Sequence, residues 1–340
     1  MSAANRAAIL TKLHKVLKKH YQPVEPPSDR SVLEHLLYAA VLEGADFETA
    51  DENFAKLQEN FFDWNEIRVT TITELAETLA TVSDAAAAAQ RVKKTLQAVF
   101  ETHSSLQTHY TFDLEVLRKQ NLGKAVAELE KFDGVSKFGI AYAAQNALGG
   151  HQIALSRGAL EALVAVGAMN DSEFAKGECP GMERAIPKNK GVEFFSLLHQ
   201  LACDLTSSPQ STRVRGILTE TDSEAKDRLA QFNARRAEAA AAAKEARDQR
   251  IAEAREARAQ EAREAEAKAA KEAQRKAKKA AAGKPAEVDD KKKPAAPPVE
   301  DKSKAKPAAP QPAKPAAKPA EDAKSKKPVL SKGLTKRKPK

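Results

Sequence analysis

The sequence predicts an all-α fold. Apolar residues recur at helical spacing through residues 1–220, and no alternating, strand-like run interrupts them. A third observation separates this body from the C-terminal third of the chain. All 12 Phe, all four Tyr and the single Trp (Trp64) lie at or before Phe232. Roughly 200 residues can therefore share a core, which is ample for one domain. The remainder lacks the apolar area needed to offset its own ordering entropy.

The first helix is expected over 4–20. Ile9, Leu10, Leu13, Val16 and Leu17 give it one packed face, and Pro23, Pro26 and Pro27 stop it. This segment is basic and carries no acid before Glu25, as a transit peptide would, but the regular apolar face favours a structural helix. Ser28-Asp29-Arg30-Ser31 offers the next start, and SVLEHLLYAAVLEG runs on to Gly44. Further helices are expected near 48–61, 72–82, 84–103, 113–119, 123–131, 137–147, 156–166, 171–175 and 191–205.

Residues 222–282 are built from Ala, Glu, Arg and Lys, all strong helix formers. Pairs such as Asp222–Lys226, Glu224–Arg228 and Glu264–Lys268 support the helix at i,i+4. Glu253–Glu256 and Glu261–Glu264 oppose it, and no a/d aliphatic seam favours a coiled coil. A single solvated helix is expected. From 284 onward Pro, Ala and Lys dominate, which predicts a disordered tail leaning to polyproline II. The expected divisions are thus a helical body (1–220), the charged helix (221–283) and the tail (284–340).

Charge is unevenly shared. The net +9 hides an acidic body with 23 Lys and Arg against 28 Asp and Glu over 1–220. Residues 221–283 carry 16 against 12, and 284–340 carry 17 against 7. The polyanion partner suggested by a basic chain is therefore expected to meet the tail. Two cysteines, Cys179 and Cys203, make no disulfide framework, and no apolar run reaches membrane length. The seven His are scattered, with no spacing that points to a metal. No cofactor, no metal and a cytoplasmic location, with nucleoid association as a variant, are expected.

The stretch LEKFDGVSKFGIAYAAQNAL (129–148) places the turn Asp133-Gly134-Val135-Ser136 between two apolar-periodic runs. Such a turn directs backbone N–H groups toward the next helix's N-terminus, where the dipole favours a phosphate. Taken alone, one glycine between two helices is as well explained by packing. The stretch resembles the helix-hairpin-helix of the endonuclease III family of DNA glycosylases, which reads Leu-Pro-Gly-Val-Gly before a catalytic lysine and an apolar helix. GGHQIALSRGALEALVAVG, downstream, is similar to the family segment carrying the catalytic aspartate. SVLEHLLYAAVLEGADFETADENFAKL, upstream, is similar to the family's early helices. Order and spacing agree over roughly residues 5–220.

The resemblance implies a helix-hairpin-helix glycosylase-like body, and it exposes departures from the family's chemistry. The nucleophilic lysine's position holds Phe138, with Lys137 about 100° away around the helix. The aspartate's position holds Ser156, followed by Arg157 and Gly158. The early helix leads into Glu43-Gly44-Ala45-Asp46 without the Gln that fills the gap left by an extruded base. Of the four iron–sulfur ligand positions only Cys203 is a cysteine, the others being Gln210, Arg213 and Thr219. Asp133 replaces the family proline and brings negative charge to the turn, and Ser136 replaces the second glycine.

The candidate backbone contacts are Gly134, Val135, Ser136, Lys137 and Arg157, with Ser156 serving equally well as a helix cap. Glu43, Asp46, Asp51 and Glu52 read as a solvated acidic cluster. Three functions stay open. The first is a catalytically degenerate, DNA-associated protein whose tail, similar to those of linker-histone-like proteins, holds duplex DNA without reading sequence. The second is an active base-excision-repair glycosylase or AP lyase that recruits Asp204, Glu43 or Lys137. The third is an acidic body that binds a protein partner, with the helix as spacer and the tail as tether.

Overall fold

A computed structural model describes residues 3–105 and 112–281; the expected tail, 284–340, lies outside the described residues. The described chain is all-helical, with no strand among those residues. None of their helices is long and apolar enough to cross a membrane.

Among the described residues, fourteen α-helices follow one another. They are α1 (Ala3–His20), α2 (Val32–Leu42), α3 (Phe47–Asn60), α4 (Trp64–Val69), α5 (Ile72–Thr78), α6 (Ala85–Ser105) and α7 (Leu122–Leu129). Then come α8 (Lys137–Asn146), α9 (Arg157–Ala165), α10 (Asp171–Lys176), α11 (Met182–Ala185), α12 (Gly191–Ser207), α13 (Thr212–Thr221) and α14 (Ala225–Ala281). Residues Glu115–Lys119 and Lys188–Lys190 form 3-10 turns.

Local sequence explains the starts. Ser31 and Glu34 close a capping box at α2, and Thr71 with Glu74 does the same at α5. Asp46, Ser136, Ser156 and Ser211 each accept from a backbone N–H at the start of α3, α8, α9 and α13. The expected face of α1 is the packed one: Leu10, Leu13, Val16 and Leu17 are buried.

Two helical groups build the core. Helix α2 is apolar almost all round and packs against α3, α6 and α8. Helix α12 packs against α1, α9 and α13. Helix α8 touches both α2 and α12, so the second helix of the hairpin sits where the groups meet.

The charged helix begins differently from the solvated rod expected at 221. Its first turns are packed. Phe232 is buried edge-on against Phe174, with ring centroids 4.8 Å apart. Arg228 donates to the Ala165 carbonyl at 2.7 Å, and Arg236 pairs with Glu161 at 2.5 Å. From Ala237 to Arg263 the helix is exposed, as its closely spaced charges require.

Candidate nucleic-acid interface

The hairpin's glycine is set by a close approach. Gly134 has φ +95°, and a Cβ there would collide with the Lys94 Cβ and lie 2.9 Å from the Thr95 nitrogen of α6. Only hydrogen fits. The turn is therefore wedged against α6. Val135 is half-buried and donates to the Phe132 carbonyl at 3.2 Å.

Ser136 does two jobs. Its Oγ accepts from the Gly139 N–H at 3.1 Å, capping α8, and donates to Glu43 Oε2 at 2.8 Å. Arg91 lies 3.4 Å from the same Glu43 carboxylate and also donates to the Ala40 carbonyl at the end of α2. Glu43 is thus a half-buried tie between α2, α6 and the hairpin, rather than part of a solvated cluster. Asp46 caps α3 and Asp51 pairs with Arg30 at 3.1 Å, so they too have structural partners. Asp133 is exposed, 3.2 Å from Lys94. Two carboxylates therefore flank the turn, each with a cation beside it: Arg91 at Glu43 and Lys94 at Asp133.

Lys137 is exposed and held by Glu178 at 2.6 Å and by the Lys176 carbonyl at 3.0 Å. Phe138, beside it, is 2 % exposed. Its ring centroid lies 6.4 Å from Tyr142, 6.1 Å from Phe195 and 5.9 Å from His199. Phe47 closes the group, 5.1 Å from His199 and 6.2 Å from Phe195. The position that the resemblance gives to an amine is thus a ring among rings.

Ser156 is buried and accepts from the Ala159 N–H at 3.4 Å, so it is a cap. Arg157 is exposed and pairs with Glu161 at 3.3 Å. A cleft of about 450 Å³ lies beside the hairpin. Val126, Ile140, Ile153, Leu155 and Met182 give it apolar walls, and Lys137, Phe138, Glu178 and Glu183 also line it. Ser156 is not among its lining residues, so the two family positions do not share this cleft.

Cys203 donates to the Ala45 carbonyl at 3.5 Å and sits 3.6 Å from His199 Nε2. Burial pushes its thiol up to about 12. One cysteine, with Gln210, Arg213 and Thr219 at the other three positions, does not fit an iron–sulfur cluster. Among the described residues no three His, Cys, Asp or Glu come together as metal ligands. Cys179 is buried, and its thiol is likewise pushed up to about 12. Asp204 accepts from the Tyr21 hydroxyl at 2.7 Å and pairs with Arg213 at 3.5 Å.

His199 carries weight that the sequence did not reveal. It is 2 % exposed, its Nε2 donates to the Ala45 carbonyl at 2.9 Å, and its Nδ1 has no partner. Protonation would place an unpaired N–H in an aromatic core, so burial pushes its pKa down to about 4. His35, against Tyr142, is also pushed down to about 4, by burial and then by Arg30. The unfolded chain binds these protons near 6.5, so stability is full above that value and falls as pH drops toward 4. Each imidazole is expected to cost on the order of 3 kcal/mol across this window. Urea midpoints from pH 7 to 4 check this. His199→Phe is expected to reduce the slope, and an unchanged slope would exclude His199 as a source.

No family model matches this sequence, and no curated protein matches it. Solved structures similar to the chain include endonuclease III trapped covalently on DNA with an estranged adenine, at 14% identity and a TM-score of 0.43, covering 62% of this chain and 90% of that one. Endonuclease III in a non-covalent DNA complex is similar at 13% identity and a TM-score of 0.46, covering 67% and 99%. A thermostable thymine-DNA glycosylase is similar at 15% identity and a TM-score of 0.44, covering 66% and 100%.

Proposed function

We propose that this chain is a DNA-associated protein with a non-catalytic body and that duplex DNA is held, without sequence reading, by the basic C-terminal residues. The observation that carries the proposal is the division of charge. Residues 284–340 carry 17 Lys and Arg against 7 Asp and Glu, while residues 1–220 carry 23 against 28. Lysine-rich chain binds duplex DNA through counterion release, a term indifferent to base sequence. The hairpin offers less, because Glu43 occupies Ser136 and Asp133 faces outward. The reading of the body as non-catalytic is supported by Phe138, an apolar ring packed among Tyr142, Phe195 and His199 where an amine would be needed.

The test is duplex binding by fluorescence anisotropy, comparing the full chain with one ending at residue 283. The full chain is expected to lose about 10³-fold or more in affinity between 50 and 200 mM salt. The shortened chain is expected to bind roughly 100-fold more weakly at 50 mM. Equal binding by both chains would remove the tail from the proposal. Cleavage of an abasic duplex by the full chain, lost on Lys137→Ala, would restore an enzymatic reading.

A further inference from the structure

The connection between α3 and α4 exposes an apolar feature that the core does not use. Phe62 is 96 % exposed, the most exposed of the large hydrophobic side chains among the described residues. Its place is fixed. The Phe62 N–H donates to Glu66 Oε2 at 2.6 Å, and Asp63 Oδ1 accepts from the Glu66 N–H at 2.8 Å. This reciprocal pair holds a phenyl ring in water on a short, braced connection. Beside it lies a cavity of about 310 Å³ lined by Leu57, Phe61, Phe62, Trp64 and Ile67, with Gln58 and Asp63. That volume is at the lower end of the range for ligand clefts, ~300–1,000 Å³. Val69 and Ile72, a turn further along, are exposed as well.

Charge decides which partner fits. Residues 57–67 hold Glu59, Asp63 and Glu66 and no Lys or Arg. Glu52, two helical turns before Glu59 on the same face of α3, is also exposed. Two cations flank this stretch: Lys56, half-buried on α3 between Glu52 and Glu59, and Arg68, which donates to Asn65 and Gln97 and lies 3.9 Å from the centre of the Phe100 ring. Over residues 52–68 four carboxylates (Glu52, Glu59, Asp63, Glu66) still outnumber these two cations. An apolar anchor and cavity inside an acidic field repel DNA. They also repel a second copy of this surface, which would set like charges face to face. They suit a cationic segment that carries one large apolar side chain.

We infer that the α3–α4 surface docks a protein partner through a short basic segment, one aliphatic or aromatic side chain of which enters the cavity beside Phe62. The partner's Lys or Arg residues then face Glu52, Glu59 and Asp63. This contact uses residues other than those proposed above to hold DNA.

The test uses the full chain and two fluorescein-labelled synthetic 12-residue peptides. Both are Lys- and Arg-rich; one carries a central Leu-Phe pair and the other carries Ser-Ser there. Anisotropy at 150 mM salt is expected to show the Leu-Phe peptide binding at least tenfold more tightly. Phe62→Ser is expected to abolish that difference, and Glu52→Lys with Glu59→Lys is expected to weaken the Leu-Phe peptide at least tenfold. Phe62 is on the surface, so Phe62→Ser leaves the fold intact, and an unchanged thermal transition verifies it. Equal binding of both peptides, or no effect of Phe62→Ser, overturns the inference. A concentration-dependent dimer in sedimentation that Phe62→Ser dissolves also overturns it, by assigning the surface to a second copy. Duplex binding weakened tenfold by Phe62→Ser would do the same in favour of DNA.

Discussion

Phe138→Lys is expected to destabilise the body by about 4 kcal/mol or more, and not to create a lyase. Two effects add. Truncating a buried phenylalanine forfeits ~3–5 kcal/mol of transfer and cavity energy, of which the lysine stem recovers part. An ammonium held among Tyr142, Phe195 and His199 is desolvated at a cost of several kcal/mol, which only extension into the neighbouring cleft toward Glu178 and Glu183 would relieve. Total stabilities of ~5–15 kcal/mol make this a large fraction. Urea denaturation measures it directly. Phe138→Leu guards against a variant that does not fold, with an expected loss of ~1–2 kcal/mol from its smaller volume change. A Phe138→Lys protein within about 1 kcal/mol of the parent would mean that the ring cluster opens readily, and a family-like amine would then have access to solvent.

Gly134→Ala is the second large effect. The left-handed backbone at φ +95° costs a non-glycine residue ~1–2 kcal/mol. Collision with the Lys94 Cβ and the Thr95 nitrogen of α6 adds a clash that only movement of a helix backbone relieves. A total near ~3 kcal/mol or above is expected. Gly149→Ala is the internal control. It shares a positive φ, +65°, but a Cβ there meets nothing within 4 Å, so strain alone should appear, about 1 kcal/mol. Equal losses at the two glycines would show that the hairpin does not seat against α6.

Much of the fold was legible because its signals are local. The Ser31–Glu34 capping box, the prolines after α1 and the apolar face of α1 each act over a few residues. Helices α4, α11 and α13 escaped notice for physical reasons. Helix α11 has 4 residues, too short to show a period, and α4 has 6 and follows the aromatic pair Phe61-Phe62, where no 3.6-residue period is visible. Helix α13 carries Gly216 and several β-branched residues, which lower helix propensity, and packing overrides that weakness. The boundary near 220 followed composition, yet Phe232 and Arg236 anchor the next helix to α9 and α10 through residues more than 50 positions away. The site divides in the same way. The helix starts at Ser136 and Ser156 are local signals in the sequence, each a serine cap. The ring cluster is not local, because it joins residues 47, 138, 142, 195 and 199 from three helices. Glu43 looked solvated because its partners, Ser136 and Arg91, lie 93 and 48 positions along the chain.

Trp64 has an optical consequence. It is the single tryptophan of the 340 residues, half-buried at the wall of the α3–α4 cavity, with its ring centroid 6.2 Å from that of Phe54. All indole emission from the protein therefore originates at one known place. Unfolding of the body will shift that emission to the red. A side chain entering the cavity will strip water from the same indole and shift it to the blue. Two events that calorimetry would have to disentangle thus carry opposite colours, and both can be followed in the unlabelled protein.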